Sequence, residues 1–447
     1  MKKSYEIDMC NGPLLGKLLL FALPLMLSGI LQLFFNAADI VVVGRFSGSH
    51  ALAAVGATSS LINLLVNLFI GLSIGTNVLT AQYYGAKDKE GIHQTVHTSI
   101  LISIVGGLIL IVVGVLLAKP LLELMATPEE VLGQATLYMR IYFCGMPGMM
   151  LYNFGAAILR AIGDTRRPLY FLLTAGVVNI ILNLFFVIVF HMGVAGVALA
   201  TIISQALSAA LVVRCLTRME SVCRLYLSQL KIYPDKLIRI VKIGLPAGLQ
   251  GAVFSISNVL IQSSVNSFGA IAMAGNTAAS NLEGFVYTSM NAVYQTALSF
   301  TSQNIGAGKY ARIGQILRRC IAIVTIVGLT LGGMMVLFSG PLLGIYSTDT
   351  EVIAYGTRRL LIICLPYFLC GIMDTMVGML RGMNYSVLPM IVSLAGACGL
   401  RILWIFTIFR MNHTLFTLYI SYPITWAITA SVHFCCYLWV RKKYPAR

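Results

Sequence analysis

The chain has 447 residues, 58% of them hydrophobic and only 10% charged, whereas a soluble domain carries roughly 25% charged residues; no soluble surface can be built from so little charge. The net charge is +16, but nucleic-acid binding needs basic residues gathered on one soluble face, and here they sit in short gaps between apolar segments. The composition therefore points to a polytopic membrane protein with no nucleic-acid partner.

Apolar stretches of about 20 residues or more recur along the whole chain, and each can cross a hydrocarbon core of ~30 Å as a helix. In lipid every backbone polar group must be satisfied internally, so such segments are helices. The first run, 14–43, is too long for a signal-peptide core and lacks a cleavage site, so it stays as helix 1. Helices 2 to 6 are expected over 52–80, 94–118, 132–158, 168–190 and 194–216. Helices 7 to 12 follow over 237–265, 271–301, 313–338, 353–379, 387–409 and 414–440. The expected fold is all-α, with twelve transmembrane helices.

With the N-terminus in the cytoplasm, 24 of the 31 Lys and Arg fall on one side, including Lys2, Lys3, Arg447 and the seven from Arg214 to Lys242. Arg45, Lys119, Arg140, Arg358, Arg359 and Arg410 fall on the other, and Arg401 lies inside a helix. The positive-inside rule then places both termini in the cytoplasm of a cell-membrane protein. The ten cysteines contain no C-x-x-C pair, and most lie in apolar segments as small hydrophobes. No structural disulfide is expected.

The two halves echo each other. ALAAVG at Ala51 to Gly56 returns as AIAMAG at Ala270 to Gly275, and TAQYYGA at Thr80 to Ala86 returns as TSQNIGA at Thr301 to Ala307. Leu159, Arg160 and Pro168 match Leu380, Arg381 and Pro389 at an offset of 221, as Pro120 matches Pro341. Six helices per repeat make the repeats parallel, related by an axis along the membrane normal, as in some transporters. The expected lobes are 1–220, with helices 1 to 6, and 221–447, with helices 7 to 12, joined by a cytoplasmic linker at about 217–236.

A carboxylate near the middle of a membrane helix costs at least ~2.5 to 3.5 kcal/mol and usually faces a bundle interior or a water-filled path. Asp39 lies in helix 1; Asn179 and Asn183 sit one turn apart on helix 5; Thr201 falls at comparable depth on helix 6. One carboxylate, two amide oxygens and a hydroxyl suit either a titrating proton site or an oxygen-lined Na⁺ site. Asp39 at the outer interface, with Asn and Thr bonding helix to helix, is the bland alternative.

In the second half Glu283 and Asp374 are the interior acids and Arg401 the deep base, and counting heights at 1.5 Å per residue puts Arg401 between them, with either as its partner. Pro24 and Pro246 occupy equivalent mid-helix positions and can act as hinges or as static bends. Met290, Met373 and Met376 would suit an adaptable apolar cavity, although methionine more often fills gaps. There is no P-loop, H-E-x-x-H or G-x-S-x-G, so no enzyme and no cofactor are expected, and uphill transport must draw on an ion gradient.

The chain resembles the multidrug and toxic compound extrusion family of cation-coupled antiporters, part of the multidrug/oligosaccharidyl-lipid/polysaccharide flippase superfamily. The likeness runs from DMCNGPLLGKLLLFALPLML through NAADIVVVGRF, GVAGVALATIISQ, LEGFVYTSM around Glu283, TSQNIGAGK and the LRG before helix 11. The resemblance implies an outward-facing V of two lobes, alternating access, and export of small organic, often cationic, compounds in exchange for H⁺ or Na⁺. It implies the coupling site at Asp39 with Asn179 and Thr201, and a bendable Pro24. Many members carry Asp-Pro in helix 5 where this chain has Asn183 and Leu184, which leaves Asp39 the only carboxylate of the first-half site. Partners beyond small molecules and the bilayer are not expected, and the chain is expected to act as a monomer. The rival readings are a flippase for a lipid-linked saccharide, which would want a strongly cationic cavity, and a membrane enzyme acting on lipids, for which the loops are too short.

Overall fold

The computed structural model describes residues 5–445, so Lys2, Lys3 and Arg447 of the charge pattern lie outside the described residues. The chain is all-helical in twelve consecutive rods. The first six are α1 (Leu14–Phe46), α2 (Gly48–Gly85), α3 (Lys89–Leu124), α4 (Glu129–Cys144 and Met146–Ala161), α5 (Arg166–Leu184, continued by a π-helical turn Phe185–Val189) and α6 (Gly193–Arg218). The next three are α7 (Pro234–Asn266), α8 (Ala270–Gly306) and α9 (Ala311–Leu337). Then come α10 (Thr350–Ile363 and Phe368–Gly382), α11 (Val387–Ser393, a π-helical turn Leu394–Gly399, then Leu400–Phe406) and α12 (Leu415–Arg441).

Among the described residues ten helices are long and apolar enough to cross a membrane. The fourth rod falls short because it is two pieces of 16 residues, and the eighth is diluted by Asn276, Asn281, Glu283 and Asn291. The expected boundaries hold to within a few residues, but 132–158 and 353–379 are not single helices. Pro147 and Pro366 each stand at the start of a new helical segment, where a missing N–H costs nothing. Pro24 and Pro246 lie inside continuous helices of 33 residues each. At about 1.5 Å per residue such helices reach about 50 Å, well beyond a hydrocarbon core.

The repeat is visible in backbone detail. Lys87 (φ 57°) and Gly308 (φ 69°) turn the chain after α2 and α8, and Gly163 (φ 92°) and Asn384 (φ 70°) turn it after α4 and α10. Each pair occupies matching places in the two halves. The turns close alike: the Asp164 N–H donates to Leu159 O, and the Tyr385 N–H to Leu380 O, both at 2.9 Å.

The chain forms two compact units, residues 1–8 with 31–252 and residues 9–30 with 253–447. These differ from the sequence halves, since each takes in part of the other half's first helix. In α1 the division falls between Ile30 and Leu31, and in α7 between Ala252 and Val253, equally far beyond Pro24 and Pro246.

Within the first unit α7 crosses α2 on glycines. A Cβ at Gly71 would stand 2.2 Å from the Gly248 nitrogen, one at Gly75 2.2 Å from Ile240 O, and one at Gly244 2.5 Å from the Leu72 Cα. Two small-x-x-x-small rows thus let two backbones touch, the packing that association in lipid favours. The stretch between Arg218 and Pro234 docks on the start of α3: the Tyr226 N–H donates to His97 Nε2 and the Tyr233 N–H to Thr98 Oγ1, both at 3.1 Å.

Gly71→Leu is expected to lower stability by roughly 1–3 kcal/mol or more through overpacking, read as thermal unfolding of the purified protein. Gly16→Ala, which meets nothing within 4 Å, should leave the transition in place.

Candidate functional site

In the first unit α5 lies close against α1, because Gly176 leaves room for the Phe35 ring: a Cβ there would stand 1.9 Å from it. That contact brings the amides of α5 to the carboxylate of α1. The Asn183 amide donates to Asp39 Oδ1 and also to Asn179 Oδ1 at 3.2 Å. Asn179 in turn reaches Ser204 Oγ on α6 at 3.5 Å. Thr201 does not join this chain; its hydroxyl donates to Val197 O at 3.0 Å, and Ser204, one turn on, takes the place expected for it. The π-helical turn of α5 begins two residues after Asn183, and such turns are frequent at functional sites.

Asp39 is half-buried, and among the described residues no basic side chain pairs with it. Tyr138 and Tyr142 of α4 stand within its electrostatic reach, with Gln205 of α6 beside Tyr142. Two buried amide oxygens here, Asn183 Oδ1 and Gln205 Oε1, have no hydrogen-bond donor. A carboxylate flanked by donor-free amide oxygens fits a hard cation, which takes oxygen ligands, or a proton. Ser204, Tyr138, Tyr142 and Gln205 were missed in the sequence reading; hydroxyls and amides on the helix 4 and 6 faces at the depth of Asp39 were the available signal.

In the second unit, Glu283 of α8 pairs with Arg359 of α10 and not with Arg401. The pair is bidentate, with Nε to Oε1 at 2.8 Å and Nη2 to Oε2 at 2.7 Å. The remaining Nη1 donates to Asn276 Oδ1 at 2.6 Å, which also accepts from the Tyr419 hydroxyl at 3.1 Å. Arg359 had been placed among the outer loop cations; α10 starts at Thr350, which carries Arg359 more than two turns into the helix and buries it. Arg401 pairs with neither acid: its Nη2 donates to Thr425 Oγ1 at 3.1 Å, and its guanidinium lies 4.0 Å from the Tyr422 ring centre. Asp374 lies beside Tyr287, and the cation whose field reaches it is Arg381, itself bonded to the Tyr294 hydroxyl at 2.7 Å. Height counting failed because residues at one depth can face different neighbours.

Met290, Met373 and Met376 are core, each no more than 2% exposed. Met290 Sδ fills the space left by Gly371, where a Cβ would stand 2.8 Å from it. They are gap fillers rather than a cavity wall. Pro24 and Pro246 lie outside both clusters, each within the helix whose two ends belong to different units.

The MatE family model matches the chain twice, over residues 24–185 and 246–407. Each match begins on one of the two helix prolines and ends past the polar residues of the fifth or eleventh rod. The chain belongs to the MatE family. It is a membrane transporter of the secondary kind and not an enzyme. Among curated relatives it is similar to the probable multidrug resistance proteins YoeA and YpnP of Bacillus subtilis. Each is 28% identical to it, over 95% of this chain and 93% of YoeA, and over 88% of this chain and 88% of YpnP. The probable multidrug resistance protein NorM of Thermotoga maritima is 26% identical over 84% of this chain and 82% of its own. Among solved structures, an outward-facing multidrug resistance MATE family transporter of the MOP superfamily superposes with a TM-score of 0.91 at 21% identity, covering 99% of both chains. A MATE structure in the bent conformation gives 0.85 at 22% identity, over 96% of this chain and 95% of that one. These likenesses establish the MatE fold.

Removing one partner of a buried ion pair strands the other charge. Arg359→Gln is therefore expected to cost about 3–5 kcal/mol, and the double variant Glu283→Gln with Arg359→Met to cost less than the single one. Thermal unfolding of the two purified variants checks the order.

Proposed function

We propose that this MatE protein is a cation-coupled antiporter that exports small organic compounds, cationic or amphipathic, by alternating access. It would work in the cell membrane as a monomer with both termini cytoplasmic, with 1–220 and 221–447 as its lobes. The names of YoeA, YpnP and NorM, all described as probable multidrug resistance proteins, support that substrate range.

The observation that carries the coupling is Asp39: an acid in a membrane helix that meets an amide where a structural acid such as Glu283 meets an arginine. With no fixed counter-ion, its charge is free to be answered by H⁺ or Na⁺ entering from outside. Cation uptake then alters the Asp39, Asn183 and Asn179 contacts between α1 and α5, substrate leaves outward, and the emptied transporter turns inward to reload. Pro24 and Pro246 supply the bend in the two helices that run from one unit to the other.

The test is efflux of a fluorescent cationic dye from proteoliposomes with a pH or a Na⁺ gradient imposed separately. One gradient is expected to drive efflux and so to name the ion, and Asp39→Asn is expected to abolish it while the protein still folds and inserts. Unchanged efflux in Asp39→Asn removes Asp39 from the mechanism. Failure of either gradient to move any dye brings the lipid-linked saccharide forward as cargo.

A second outcome concerns the helper groups. Asn183→Ala is expected to weaken coupling-ion affinity by about tenfold, the loss of one charge-assisted hydrogen bond of about 1.5 kcal/mol, read as a shift in the half-saturating cation concentration. Thr201→Val, whose hydroxyl is spent on its own helix, should leave that concentration unchanged.

A further inference from the structure

We propose that the second unit holds a subsite for the anionic group of an aromatic ligand, built on Arg401 and the aromatic faces around it, so that an aromatic carboxylate binds there. This rests on the transport reading only for its consequence, that such acids or zwitterions belong among the exported compounds.

The unit contains two deeply buried arginines that it treats differently. Arg359 and Arg401 are each 6% exposed. Arg359 has its fork filled by Glu283 and a third donor on Asn276. Arg401 has one bond, to Thr425 Oγ1; its buried Nε finds no acceptor, and among the described residues no carboxylate pairs with it. The Tyr422 ring at 4.0 Å and the Trp426 ring at 5.9 Å face the guanidinium. Ring faces offset about 2 kcal/mol of a desolvated cation, less than the several kcal/mol that burial of a lone ion costs. The charge is held ready for an anion, with donors still to give.

A second buried donor waits at the same place. The Ser257 hydroxyl is 3% exposed and has no partner, and it lies beside Cys398, whose thiol is within reach of both Ser257 and Arg401. Local structure aims the arginine. The π-helical turn Leu394–Gly399 ends two residues before it, and Gly396 lets α11 lie against Thr429 of α12, where a Cβ would stand 2.2 Å from the Thr429 hydroxyl.

The neighbouring surface suits a ring. Tyr367 stacks on Trp426 with centres 5.1 Å apart, and Tyr287 lies over Tyr367 at 6.4 Å. Tyr287, Tyr367 and Tyr422 are partly open, so a planar group can extend this row while its carboxylate meets the fork of Arg401, the planar pairing that arginine favours.

The experiment uses full-length protein carrying Trp404→Phe and Trp439→Phe, which leaves Trp426 as the sole tryptophan. Quenching of Trp426 is titrated with 2-naphthoate and with 2-naphthylmethylammonium, in neutral vesicles of phosphatidylcholine. Naphthoate is expected to bind Arg401→Gln about tenfold or more weakly than Arg401 itself, the loss of one charge-assisted pair, with the ammonium compound unaffected. Arg401→Lys should retain part of the binding, and Ser257→Ala should weaken it with no charge change, so the proposal stays testable if Arg401→Gln does not fold. Equal naphthoate affinity in Arg401 and Arg401→Gln protein, or in Ser257 and Ser257→Ala protein with Arg401→Lys unchanged, overturns it. If vesicles containing phosphatidylglycerol abolish the Arg401-dependent quenching, the same subsite takes a lipid headgroup in preference to a solute. Dye efflux measured on the same samples separates the two readings. Efflux without Arg401-dependent binding removes the subsite alone, and binding without efflux removes the transport reading alone.

Discussion

A charge placed among apolar helices has to be answered within hydrogen-bond reach, because lipid offers no water to do it. The arrangement of this protein follows from three different answers. Glu283 is answered by an opposite charge, in a bidentate pair with Arg359 braced by Asn276 and Tyr419. Asp39 is answered by a neutral amide, Asn183. Arg401 is answered by one hydroxyl and two ring faces. The first answer is complete and stabilises packing between α8 and α10. The other two leave capacity for a mobile ion or an anionic group, and such incompleteness separates a working charge from a structural one.

The fold supplies these settings through small residues. Gly176 lets Phe35 bring α1 against α5, and Gly396 lets Thr429 bring α12 against α11. In both places a π-helical turn lies within two residues of the polar side chain concerned, Asn183 or Arg401. An extra residue in a helical turn rotates everything after it, so the two halves of an approximately repeated sequence can present different chemistry from corresponding rods. One half offers a carboxylate among amides, and the other a guanidinium among aromatic rings.

Much of this was legible in the sequence. The twelve rods follow from apolar length alone, and the echo of TAQYYGA in TSQNIGA marks turns that share a left-handed residue, Lys87 in one and Gly308 in the other. Asp39 with Asn179 and Asn183 was also readable, since residues one turn apart share a face wherever the helix points. Ser204 was not, because choosing it over Thr201 requires the rotation of α6 about its own axis. Arg359 was lost to a helix start set three residues late, and no spacing rule pairs residues on helices that meet only in three dimensions. Prolines were ambiguous for a similar reason: Pro24 and Pro246 are absorbed by long helices, while Pro147 and Pro366 begin new ones.

The two compact units do not coincide with the two repeats, because the opening stretches of α1 and α7 are counted with the opposite unit. Trading a terminal element between two like bodies is the pattern of a domain-swapped dimer. Read in that way, a single six-helix ancestor would have completed each bundle with a helix borrowed from its twin, and duplication would have written the loan into one polypeptide. A cut between Arg218 and Pro234 would then yield two fragments, each missing the start of a helix that its own bundle needs, that regain the structure only as a pair.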